Sequence, residues 1–195
     1  MNPEMSEQIE QTHSGWHTLF DWVKTIAIAL LIAIPIRYFI AEPFIVSGAS
    51  MDPTFASGNF LIVDRVSYRF NEPKRDDVIV FKYPNNPSVY YIKRIIGLPG
   101  ETVKIDDGKV VIVNDENPTG IKLKEPFVAK DHKSYDSSIT VLGENEYFVM
   151  GDNREQSSDS RTWGPLDKNL IIGRPVLRLL PMLGISVWPG EYKSQ

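Results

Sequence analysis

Ser50 and Lys93 are the residues of this chain whose types and settings suit nucleophilic chemistry. Ser50 lies in Ser47-Gly48-Ala49-Ser50-Met51-Asp52-Pro53-Thr54, a short way beyond the one long apolar segment. A serine hydroxyl is a weak nucleophile and needs a base within hydrogen-bond reach. His13 and His17 precede the apolar segment, and only His132 follows it. His132 sits in Lys130-Asp131-His132-Lys133, a charged stretch that reads as solvated, so its removal is expected to leave the chemistry intact. Lys93 lies mid-strand in Tyr90-Tyr91-Ile92-Lys93-Arg94-Ile95-Ile96. Burial among such neighbours lowers an amine's pKa, and a neutral lysine can act as a base. On a strand Lys93 shares its face with Tyr91 and Ile95, while Arg94 points the other way.

A third segment, Gly151-Asp152-Asn153-Arg154-Glu155-Gln156-Ser157-Ser158-Asp159-Ser160-Arg161, is dense in hydrogen-bonding groups. Its acids and bases alternate, and a serine hydroxyl within it could orient a lysine. It lacks the acidic spacing and glycine of a calcium loop. Each segment also has a plainer reading. Ser50 before Asp52-Pro53 fits an ordinary turn. Lys93 fits a solvated edge-strand lysine, and Gly-Asp-Asn fits a polar turn.

These groups need elements to hold them. The 195-residue chain suits one domain with a small insertion, and 42% hydrophobic residues can fill a core. Net charge of -4 leaves no basic field for nucleic acid. The chain has no cysteine, which excludes disulfides and cysteine metal sites, and its three scattered histidines argue against zinc. From Phe20 to Ile40 the sequence is apolar enough for a membrane anchor, about 31 Å long as a helix. Trp16, Trp22 and Tyr38 suit its interfaces, and Lys24 and Arg37 can snorkel. No Lys or Arg precedes Lys24, unlike a cleaved signal peptide, so the anchor is expected to stay. Charge does not decide its orientation. Residues 1–19 read as a polar tail.

Residues 41–195 read as β-rich. Strands are expected over 59–63, 77–81, 90–96, 102–105, 110–113 and 147–150, with a hairpin at Asp106-Asp107-Gly108-Lys109. Residues 114–146 read as a loop-rich insertion. Val176 to Val187 is apolar but interrupted by Arg178, Pro181 and Gly184, and its Trp188 neighbour could touch the interface. The fold class is mainly β: an antiparallel β-sheet domain with one N-terminal transmembrane helix.

The segments 47–54, 91–100 and 151–161, in this order after an anchor, resemble bacterial type I signal peptidases, in particular the small Gram-positive members. The resemblance implies a membrane-anchored serine endopeptidase that removes signal peptides after small residues, the A-x-A rule. It implies that Ser50 is the nucleophile, Lys93 the general base and Ser157 the serine that orients the lysine. Arg94, Asp152, Asp159 and Arg161 match charged residues that shape the site. Gly48 stands where Gram-negative members carry a serine, so the oxyanion would rest on the backbone N–H groups of Gly48 and Ser50. Phe44, Val46, Tyr91 and Ile92 would wall the substrate pockets. No cofactor or metal is implied. The implied partners are preproteins and the lipid bilayer, with the secretion translocon as a further candidate and no nucleic acid. The implied location is the cell membrane, single-pass, with the N-terminus cytoplasmic and the catalytic domain extracytoplasmic. Rival readings are a self-cleaving regulator with the same dyad, a non-catalytic tethered β-domain, and a Ser–His protease using His132.

Overall fold

A computed structural model describes residues 14–35, 41–181 and 184–192, with side chains from residue 18 onward. The chain divides into two compact units, Met1–Ile40 and Ala41–Gln195. In the first, helix α1 covers Ser14–Pro35. It starts six residues before the apolar run, with Gly15 confined to its first turn, where a poor helix former costs least. Thr18–Pro35 has a mean hydropathy of 1.7, so the helix is long and apolar enough to cross a membrane. Apolar side chains such as Phe20, Trp22, Ile26 and Leu31 are exposed on it. A helix without a polar face has no place in water. The expected tail at 1–13, Arg37, Tyr38 and the last residues of the expected anchor lie outside the described residues, as does the side chain of Trp16.

The second unit is built from antiparallel strands, as the β-branched and aromatic runs predict. Strands β1 (Ala41–Ile45), β2 (Phe60–Asp64), β3 (Val78–Tyr83), β4 (Asn86–Gly97), β9 (Glu146–Met150), β10 (Leu166–Asp167), β11 (Ile171–Leu180) and β12 (Ser186–Val187) form one sheet. Its order is β1-β2-β11-β3-β4-β9-β10, with β12 added to β11. Strands β5 (Thr102–Asp106), β6 (Lys109–Val113), β7 (Ile121–Lys122) and β8 (Ser138–Val141) form a second sheet in the order β7-β6-β5-β8. Two one-turn helices, α2 (Ser67–Phe70) and α3 (Ser160–Trp163), punctuate the loops.

The hairpin between β5 and β6 pairs Asp106 with Lys109, and both residues between them have positive φ, 47° at Asp107 and 70° at Gly108. That is the backbone twist a two-residue hairpin needs. Residues 114–146 supply β7 and β8 and bury Phe127 and Leu142 in the core. They complete the second sheet rather than hang from it. The interrupted apolar stretch from Val176 begins inside a strand: Ile171–Leu180 forms the ten-residue β11, which lies between β2 and β3. Pro175 is accommodated there because the register shifts between Pro175 and Leu177. A strand tolerates proline at such irregularities.

Strand β4 organises the core through its period of two. Tyr91 and Ile95 join a cluster with Ile79, Phe81, Tyr147, Val149 and Leu166. Ile96, on the opposite face, joins Val103, Ile112, Phe148 and Met150 over the second sheet. Ile92 packs on a third cluster of Val46, Met51, Phe55, Leu61 and Val78. Residues 93–97 are therefore buried on both faces, which forces the two charged residues among them to find partners inside the protein. Phe148 is fully buried where the second sheet meets β9. Phe148→Ala is expected to lower unfolding stability by about 3–5 kcal/mol, measured by urea titration of the protein in detergent.

Candidate active site

Lys93 and Ser50 meet. Lys93 Nζ lies 2.7 Å from Ser50 Oγ and also donates to the Ile92 carbonyl at 3.0 Å. Strand β4 presents the lysine, and the turn after β1 presents the serine. Lys93 is only 4% exposed. Burial, the largest influence, drives its pKa down from 10.5 to about 8, against the opposing pull of Asp159 and Asp152. The Tyr91 ring lies 5.1 Å beneath the amine. Neutral lysine presents one lone pair and can accept the serine's proton across this contact.

The serine turn is fixed by the polar segment. Asn153 N–H donates to Ser50 O at 3.0 Å, and Thr54 Oγ1 donates to Asp152 Oδ2 at 2.5 Å. Asp152 in turn takes a two-pronged pair from Arg94, at 2.8 and 2.7 Å. Arg94 is 1% exposed and Asp152 0%. The guanidinium spends its other donors on the Asp76 and Gly190 carbonyls and stacks on the Phe127 ring at 4.2 Å. Such satisfaction is what makes a buried pair tolerable. Arg178, in β11, donates to Thr54 O at 3.0 Å. The sequence assigns no individual role to Thr54 or Arg178, because their roles depend on long-range packing.

Asp159 and Arg161 form a second cluster. Asp159 accepts from Gly151 N–H and from Arg161 through both carboxylate oxygens, and caps α3. The four charged residues thus act as two pairs joined through Gly151-Asp152 rather than as one ring. Gly151 is required by close approach: a Cβ there would lie 2.3 Å from Ser50 O and 2.4 Å from Ser157 Oγ.

Ser157 and His132 are placed in ways their sequence settings do not convey. Ser157 is close by, but its Oγ is buried without a hydrogen-bond partner among the described residues. It does not bond Lys93, whose amine is engaged by Ser50 and the Ile92 carbonyl. His132 is not solvated. It is half-buried, with Nδ1 3.2 Å from Asp52 O and Nε2 3.6 Å from the Asp52 carboxylate. No hydrogen bond links it to Ser50 among the described residues.

A cleft of about 410 Å³ opens on the pair. Phe44, Val46, Tyr91 and Ile92 all line it, with Gln156 and Ser158 as additions the sequence did not single out. Phe44 of β1 and Tyr90 of β4 meet edge-to-face at 5.3 Å, although three strands separate β1 from β4 in the sheet order. Gly48 borders the cleft at φ +96°, a backbone state that favours glycine, with open space before it. Among the described residues, no group of three or more His, Asp or Glu could hold a metal ion.

Residues 19–180 match the family of signal peptidase, peptidase S26. The chain belongs to that family. It is 37% identical over 174 residues to a signal peptidase I of Bacillus licheniformis, covering 84% of this chain and 90% of that one. It is 35% identical over 184 residues to signal peptidase I T of Bacillus subtilis, covering 89% and 92%. A crystal structure of a signal peptidase I from Enterococcus faecalis V583 is 31% identical, with a TM-score of 0.45, and covers 53% of this chain and 97% of that one. This peptidase S26 member is β-rich, with an N-terminal apolar helix.

The Arg94–Asp152 pair generates a test. Asp152→Ala leaves a buried guanidinium unpaired and is expected to cost about 3–5 kcal/mol of stability. The double variant Arg94→Met/Asp152→Leu is expected to recover most of it, read from denaturant midpoints.

Proposed function

We propose that this peptidase removes N-terminal signal peptides from preproteins at the membrane surface, with Ser50 as nucleophile and Lys93 as general base. The observation that carries the reading is the 2.7 Å contact between Lys93 Nζ and Ser50 Oγ, made by a buried amine whose pKa is lowered to about 8. Neutral Lys93 takes the Ser50 proton as Oγ attacks the scissile carbonyl. The lysine then protonates the leaving amine. Water, activated by the same amine, hydrolyses the acyl-enzyme. The N–H groups of Gly48 and Ser50 are the proposed oxyanion donors.

The cleft supports a substrate bound as a strand. β1 ends the sheet, and β4 pairs with β9 only over Arg94–Gly97, so among the described residues the earlier part of β4 has β3 as its one neighbour. An extended peptide adding to such an edge gains main-chain hydrogen bonds. The apolar walls from Phe44, Val46, Tyr91 and Ile92 favour small side chains at the first and third positions before the cut, the A-x-A pattern. Ser157 is assigned to orient Lys93 during turnover, its partnerless hydroxyl being within the same packed segment. Arg94–Asp152 and Asp159–Arg161 hold that segment in place.

Helix α1 is assigned as the single anchor, with the N-terminus cytoplasmic and the β unit extracytoplasmic. Tethering to the bilayer that holds the substrate's apolar segment raises the effective substrate concentration. The secretion translocon fits as a neighbour that delivers preproteins. The mechanism calls on no cofactor.

Ser50→Ala and Lys93→Ala are each expected to reduce cleavage of a preprotein ending its signal in Ala-x-Ala to background, with unfolding midpoints near wild type. Wild-type cleavage by either would refute the dyad. The base form of Lys93 dominates above its pKa, so the rate is expected to rise as pH passes through about 8 and then level off. A pH–rate profile measures this.

A further inference from the structure

The turn that carries Ser50 is held from several sides. Its own backbone closes it, Asp52 N–H donating to Ala49 O and Phe55 N–H to Met51 O. Asn153, Asp152 and Arg178 hold it from the polar segment and β11. One further tie comes from the loop between β7 and β8, through the imidazole of His132. A carbonyl only accepts, so the 3.2 Å contact with Asp52 O places the proton on Nδ1. The other ring nitrogen faces the carboxylates of Asp52 at 3.6 Å and Asp131 at 4.0 Å.

His132 is itself anchored. Its N–H donates to Ala129 O at 3.1 Å, closing the 3-10 turn Lys130–His132. Its carbonyl accepts from Arg154 N–H at 2.9 Å. Arg154 is buried, donates to Gly151 O at 3.0 Å and pairs with Glu125 at 2.6 Å. One residue therefore ties the second-sheet loop both to the serine turn, through its ring, and to the segment that holds Asp152, through its backbone carbonyl.

We propose that His132 is a positioning residue for Ser50, acting through Asp52. The proposal rests on the Ser50–Lys93 reading. His132 touches no reacting atom. It restrains the turn two residues beyond the nucleophile, and so holds Oγ at the distance at which Lys93 can take its proton. Displacements of about 1 Å in such an arrangement weaken catalysis severely. The cleft walls come from β1 to β4, the serine turn and the polar segment, without any residue of the 130s loop, so His132 touches no substrate wall and governs turnover rather than binding. This reverses the expectation that a histidine in a charged stretch is a bystander.

The test compares full-length wild type, His132→Ala, His132→Asn, Ser50→Ala and Lys93→Ala in detergent, on a preprotein whose signal ends in Ala-x-Ala. His132→Ala is expected to lower kcat about tenfold with KM unchanged. Asn places an amide donor close to the position of Nδ1, so His132→Asn is expected to retain most of the wild-type kcat. Wild-type kcat in His132→Ala would overturn the assignment, as would a loss confined to KM, or failure of Asn to rescue. Should His132→Ala unfold, the kcat of a folded His132→Asn decides: retention supports the assignment and a tenfold loss overturns it. Cleavage surviving in Ser50→Ala or Lys93→Ala would instead bring down the underlying Ser–Lys reading, which the His132 variants do not test.

Discussion

Burial of the Lys93 amine is the constraint on which the rest of the site depends. An ammonium ion loses most of its hydration when placed among apolar side chains, and the neutral form is favoured in response. Strand β4 imposes that environment because both of its faces are covered over 93–97. The amine then has few hydrogen-bonding choices, and it meets Ser50 Oγ and its neighbour's carbonyl. Asp159 and Asp152 lie near enough to oppose the shift, yet burial is the larger effect. Their charges are largely committed elsewhere, Asp152 to Arg94 and Asp159 to Arg161. The buried ion pairs thus do more than hold loops. They keep carboxylates close to a lysine without giving it a direct salt-bridge partner that would fix its proton.

The same strand places Arg94 on the opposite side from Lys93, and the two fates differ for physical reasons. A guanidinium stays charged under all ordinary conditions, so Arg94 needs a permanent acid and a full set of acceptors. It finds Asp152, two carbonyls and an aromatic face. An amine can shed its proton, so Lys93 needs only a hydroxyl and a carbonyl. Asp152 then extends the order from Arg94 to Thr54, and through the neighbouring Asn153 to Ser50. The turn that carries the nucleophile is consequently fastened to the back of the strand that carries the base.

Much of this was legible in the sequence. The β5–β6 hairpin follows from Asp107-Gly108, and the β4 and β9 strands from their β-branched and aromatic runs. The pairing of Ser50 with Lys93 was suggested by an apolar strand around a lysine and by the scarcity of histidines beyond the apolar segment. Strand β11 was hidden because Gly173, Arg174, Pro175 and Arg178 disguise its pattern, and a register shift is what admits Pro175. Strands β7 and β8 were hidden because one is two residues long and the other exposes Ile139 and Val141. His132 was misread because its neighbours Lys130, Asp131 and Lys133 are exposed, while its own ring turns inward to Asp52. Contacts between residues 80 positions apart leave no local trace.

The central claim concerns the protonation of one amine, and it can be observed directly. Lysine enriched with 13C at Cε reports its own titration by NMR, and the Lys93 resonance is identified by its loss in Lys93→Ala. The account predicts a midpoint of about 8 for that resonance, well below the 10.5 of an unperturbed lysine. A Lys93 midpoint indistinguishable from those of the exposed lysines would contradict it.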